Sequence, residues 1–186
     1  LADVPANVFK AQVEQMRLNF QLNKLDETIK YCELIIDKDV DDANLITETH
    51  LIYGKAVMAK DDYNLAFDQF TTASTSANEF GAEGKYLVSY IHYLRGDYDL
   101  CETEVFSLIK KFPSYDYWIG KGLILLADNY VSKEDLFQAK VTLKNVIDNS
   151  KYPELVNTAN EKLTIIEQQE ASHRLETPEE DLDVDM

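Results

Sequence analysis

The side chains with the widest chemical reach in this sequence are three histidines, two cysteines and a few adjacent carboxylates. His50, His92 and His173 lie in separate segments, and none has a second ligand at a local metal-binding spacing. Cys32 and Cys101 stand far apart with no CxxC pattern and no Cys/His cluster. They supply neither a zinc signature nor a disulfide framework and are expected to be small buried hydrophobes. Asp41-Asp42, Asp61-Asp62 and Glu179-Glu180-Asp181 are neighbours at turn or tail sites, where carboxylates start helices or face water instead of sharing a buried proton. Gly120-x-Gly122 lies in an apolar helical run with no strand ahead of it, which points to close helix packing and not to a phosphate loop. The common nucleotide, hydrolase, zincin and EF-hand patterns are absent. No catalytic, cofactor-binding or metal-binding residue is assigned, and the chain is not read as an enzyme.

The elements around these residues are helices. Only four prolines occur, at 5, 113, 153 and 178, all where a helix would start or stop. No apolar run approaches the roughly 18 residues of a membrane span, so no membrane insertion is expected. A formal net charge of -16 opposes phosphate backbones and argues against nucleic acid as a partner. Six of the acids fall in residues 176–186, ETPEEDLDVDM, which hold no Lys, Arg or His and are expected to form a disordered acidic tail. The opening Leu-Ala-Asp-Val-Pro has no initiator Met and no signal-peptide layout, so the natural start is expected to lie upstream. Compartment is not legible from the sequence.

An internal repeat decides the architecture. The segments 24–38, 62–76, 97–111 and 135–149 align Leu25, Tyr63, Tyr98 and Leu136, then Thr28, Ala66, Cys101 and Ala139. Next come Cys32, Phe70, Val105 and Leu143, then Ile35, Ala73, Leu108 and Val146. Offsets of three, four and three mark one helix face. A second helical stretch precedes these at 42–60, 79–95 and 114–132, making the unit a helix, a turn and a helix. Repeats are placed at about 8–40, 42–78, 79–113 and 114–150 within a domain spanning 1–175. A half-polar helix at 154–172 is read as a cap that keeps the end of the array wettable.

The pattern resembles the tetratricopeptide repeat (TPR) family. It reads His50, Tyr53, Gly54, Val57, Ala66 and Phe70 in the second repeat, Lys85, Val88, Ser89, His92, Cys101, Val105 and Pro113 in the third, and Leu123, Leu126, Ala127, Tyr130, Ala139 and Leu143 in the fourth. In the first repeat the leading helix fits only with Val13, Met16 and Phe20 moved by one register. Extended repeats with Phe-Pro junctions are most similar to multi-repeat bacterial proteins. The resemblance implies an all-α, right-handed superhelical solenoid of about four such repeats with a C-terminal capping helix. It also implies a protein-interaction module or scaffold that holds a peptide or partner helix in its concave groove. The alternative is a structural spacer or self-associating segment of a longer repeat protein, as in envelope assembly, with room for further repeats ahead of residue 1.

In the family a partner lies on positions two, five, nine, twelve and thirteen of each first helix. Carried over, these are Glu48, Leu51, Lys55, Met58 and Ala59; then Glu83, Tyr86, Tyr90, Tyr93 and Leu94; then Lys121, Ile124, Asp128, Val131 and Ser132. The Lys, Asn and Arg that hold a terminal carboxylate in chaperone-tail-binding members are not matched, so no carboxylate clamp is expected. Tyr86, Tyr90 and Tyr93 share one helix face and, in the family register, are expected to line the groove; the alternative is that all three are inter-repeat core.

Overall fold

The computed structural model describes residues 3–38 and 40–176. Nine helices and no strand occur among them: α1 (Asp3–Gln21), α2 (Leu25–Ile36), α3 (Ala43–Met58), α4 (Tyr63–Ala73), α5 (Glu79–Arg95), α6 (Tyr98–Lys111), α7 (Asp116–Ser132), α8 (Leu136–Asn149) and α9 (Pro153–Glu176). The chain is therefore all-α, four helix pairs followed by a ninth helix. Most of the acidic tail expected at 176–186 lies outside the described residues.

Two compact units divide the chain between Gly122 and Leu123, within α7. In the first, α1 packs on α2 and α3, α3 on α2, α4 and α5, and α5 on α4 and α6. In the second, α8 packs on α9. The aligned apolar columns form the core: Thr28, Ala66, Cys101 and Ala139 are fully buried, as are Cys32, Phe70, Val105 and Leu143. Ile35, Ala73, Leu108 and Val146 are buried too. The leading column behaves differently, since Tyr63 is exposed and Leu25, Tyr98 and Leu136 are only half-buried; each sits in the first turn of its helix, ahead of the packed stretch. In α9 Leu155, Ala159 and Ile166 are buried while Glu161, Glu167, Gln168 and Gln169 face water.

One turn closes every pair. Asn23, Asp61, Gly96 and Glu134 take a left-handed backbone, with φ of 54°, 64°, 76° and 61°. The next amide, of Lys24, Asp62, Asp97 or Asp135, donates back to the carbonyl of Asn19, Val57, His92 or Tyr130 at 2.8–3.0 Å. This six-to-one bond is the Schellman closure, which satisfies carbonyls that a helix end leaves open. The residue after each bend then starts a helix, and in two cases its carboxylate caps it: Asp62 accepts from the Leu65 amide and Asp135 from the Gln138 amide, both at 3.0 Å. Because Asn19 holds the place of Val57, His92 and Tyr130, α1 carries the repeat in its ordinary register. The one-residue shift expected from Val13, Met16 and Phe20 is not needed.

Close approach of the helices is set by small residues. A Cβ on Gly81 would stand 1.9 Å from the Ser76 carbonyl oxygen, and one on Gly84 would stand 3.1 Å from Ala73 Cβ of α4. Gly122 lies against Leu108 of α6, 2.9 Å from where its own Cβ would be. Close packing is thus what Gly122 provides within the Gly120-x-Gly122 segment.

Candidate interaction face

The first helices of successive repeats are tied by charge. Arg17 of α1 donates from Nε and Nη2 to the two carboxylate oxygens of Glu48 on α3, at 2.8 and 2.6 Å. Lys55 of α3 lies 2.5 Å from Glu83 on α5. In the second unit Lys162 of α9 donates to Asp128 of α7 at 2.8 Å. In the aligned repeats the first two are one pair made twice, position nine of one first helix with position two of the next, and the third sets position nine of α7 against the capping helix α9. The Glu48 carboxylate raises the pKa of the Arg17 guanidinium, chiefly through that hydrogen bond. Lys55 and Glu83 are only 27% and 18% exposed, so the contact is drier than an ordinary surface pair.

These rungs change what the assigned residues offer. Glu48, Lys55, Glu83 and Asp128 already satisfy an opposite charge in the free chain. Leu51 and Ile124 are 2% and 8% exposed and belong to the core. Met58, Lys121, Tyr86, Tyr90 and Tyr93 are half-buried, with part of each side chain at the surface.

Among these the structure brings one group together. The rings of Tyr86 and Tyr90 stack with centroids 6.4 Å apart and planes within 13°. Tyr86 also meets the indole of Trp118 at 5.7 Å, and the Lys121 ammonium stands 5.2 Å from the centre of the Tyr86 ring. Tyr93 turns toward Tyr98 of α6, at 6.1 Å. Here the rung pattern is interrupted: position nine of α5 is Tyr90, so the cation at position two of α7 rests on an aromatic face instead of a carboxylate. Trp118 was not assigned from sequence; its spacing of three from Lys121 on one helix was the available signal.

Comparison with known proteins finds no matching family model and no matching curated protein.

The remaining chemistry-bearing groups are built into the packing. His50 Nδ1 lies 2.7 Å from Gln69 Oε1, and buried His92 meets the Phe67 ring edge-on at 5.2 Å. Burial pushes both Cys32 and Cys101 up to about 12, which keeps their sulfurs protonated. Among the described residues no cluster of three or more His, Cys, Asp or Glu is placed to hold a metal ion, and no helix is long and apolar enough to cross a membrane. In the second unit a cavity of about 150 Å³ is lined by Ala127, Asp128, Val131, Leu143, Lys162, Ile165, Ile166 and Gln169. That is below the roughly 300 Å³ of a typical small-molecule site and suits a single apolar side chain.

Proposed function

We propose that the chain is a TPR-like repeat protein, a right-handed superhelical solenoid closed by α9, that binds a protein segment along its first helices. The observation that carries this reading is the half-exposed aromatic group of α5, Tyr86, Tyr90 and Tyr93, with Lys121 and Trp118 beside it. Tyrosine offers a large, stiff contact surface, and its hydroxyl keeps the ring compatible with water when no partner is present. The ion pairs already made by Glu48, Lys55 and Glu83 favour contact at the aromatic group, because a partner there packs on rings and leaves those pairs intact. Met58, half-buried on α3, is a further apolar group on the first helices that this reading assigns to the ligand. The ligand is accordingly a peptide or helix with apolar or aromatic anchors, held by side-chain packing.

The test is affinity capture from the native cell with the unaltered chain, with Tyr90→Ala/Tyr93→Ala, and with Phe106→Ala. Phe106 is an exposed ring on α6 and controls for general stickiness. A partner retained by the Phe106 variant and lost by the double variant supports the groove. A partner retained by both variants rules out the tyrosine face.

A further inference from the structure

The middle first helices are covered on two opposite sides. On α3, Leu51 and Gly54 face inward on one side, while Thr49, Tyr53 and Ala56 are buried on the other. The second side meets the preceding second helix: the Tyr53 hydroxyl donates to Glu33 of α2 at 2.9 Å. On α5 the same side carries Gly84, Val88 and Ile91, all buried, with Gly84 against Ala73 of α4.

The turn at Asn19 and the rung at Arg17 fix the residues of α1 that match Thr49, Tyr53 and Ala56 as Ala11, Gln15 and Leu18, with Val8 and Leu22 one turn beyond them at either end. Leu18 holds the place of Ala56 and Ile91, which are 0% exposed, yet Leu18 is 46% exposed. Val8 and Leu22 are 50% and 55% exposed. The opposite side of α1 is already used, since Val13 and Met16 are buried and Phe9 and Phe20 pack on the same core. Small Ala11 stands where Thr49 and Gly84 let a second helix come close. Among the described residues nothing covers this stripe.

We propose that this side of α1 binds an amphipathic helix with the apolar pattern of α2 and α4, supplied from outside residues 1–186. The stripe continues an interface that the chain builds twice, on α3 and on α5, each time with a helix of that kind. A second copy fits poorly, because it would present the same stripe broken by polar Gln15, whereas α2 and α4 present the unbroken columns Thr28, Cys32, Ile35 and Ala66, Phe70, Ala73. The inference stands apart from the groove, which uses a different side of the first helices.

The probe is a helix-stapled peptide of residues 61–76, which span α4, titrated into the isotope-labelled chain and followed by NMR. Shifts concentrated at Val8, Ala11, Leu18 and Leu22 are expected, with affinity lowered about tenfold or more by Leu18→Glu, because a charge replaces a buried apolar group. Tyr90→Ala should leave the titration unchanged. Absence of binding, or equal binding by the Leu18 variant, overturns the proposal. Sedimentation supplies the other arm: a dimer that Leu18→Glu dissociates makes a second copy the occupant and also overturns it.

Discussion

The ring of Phe70 fills the space that a side chain on residue 54 would need: a Cβ on Gly54 would stand 2.5 Å from Cε1 of that ring. Phe70 is fully buried, so the ring has nowhere to retreat. Gly54→Ala is expected to cost about 1–3 kcal/mol by overpacking, and Phe70→Ala about 3–5 kcal/mol. In the double variant the new methyl occupies part of the vacated space, so the combined loss should be smaller than the separate losses added. Urea denaturation of the four proteins measures this, and strict additivity would contradict the contact.

The pair of Lys55 and Glu83 gives a second test. Lys55→Met and Glu83→Gln, alone and together, should show a coupling on the order of 1 kcal/mol. The exposed pair of Glu27 and Lys30, within one turn of α2 and 3.9 Å apart, should couple more weakly. Exchanging the two charges, Lys55→Glu with Glu83→Lys, should recover most of the stability that either reversal loses.

The left-handed turn residues predict opposite signs at equivalent places. Glu134 has φ of 61° and Gly96 has φ of 76°. Glu134→Gly should raise stability by about 1 kcal/mol, since a Cβ is strained there. Gly96→Ala should lower it by about as much, although nothing lies within 4 Å of the added Cβ and no clash is involved. Thermal midpoints moving in the same direction for both variants would refute the shared turn.

Alkaline pH should weaken the fold. Burial pushes Cys32 and Cys101 up to about 12, and burial followed by the hydrogen bond to Glu33 does the same for Tyr53. The unfolded chain gives up these protons first, from about pH 8.5 for the thiols and about pH 10 for the phenol. The folded state therefore binds more protons between those values and pH 12, and stability falls as pH rises through that window. Cys32→Ala/Cys101→Ala should flatten the decline between pH 9 and 10, measured as denaturation midpoint against pH. A thiol reagent at pH 8 should label neither cysteine until denaturant is added.

The tyrosines of α5 separate surface from core. A fully buried aromatic costs about 3–5 kcal/mol on truncation, and half-buried rings should cost about half of that. Tyr86→Ala should exceed Tyr90→Ala, because Tyr86 also meets Trp118 and Lys121. A Tyr90→Ala/Tyr93→Ala variant is expected to remain cooperatively folded; one that unfolds would make those rings core.

The helix pairs and their inner columns were legible because apolar side chains recurring at three and four residues leave a local signal. Thr28, Ala66, Cys101 and Ala139 differ chemically but share small volume and a place one turn into the second helix. The rungs were not legible, because each joins residues about thirty apart whose signs are not constant. Arg17 and Lys55 are cations where Asp128 is an anion, so an alignment that rewards identity sees no column there. Family positions two and nine pointed outward to a partner, whereas the structure turns Lys55 and Glu83 toward each other. The register of α1 was obscured for a related reason: polar Gln15 and Asn19 occupy places filled by Tyr53 and Val57 in the next repeat, and neighbouring Val13, Met16 and Phe20 gave the stronger apolar pattern.

The polarity of the rungs also governs the order in which the helices can follow one another. An acceptor at position two of α3 or α5 accepts only a cation from the helix before it, whereas α9 presents Lys162, requires an anion and receives one from Asp128. Were the segment bearing α3 spliced directly ahead of α9, Lys55 would be brought against Lys162, and two ammonium groups would face each other where the natural junctions set opposite charges or, at Lys121, a cation on a ring. Duplication or shuffling of these repeats is thus constrained at the junctions even where the apolar columns would tolerate it, and the sequence order of the helices is written partly in the sign of one side chain on each.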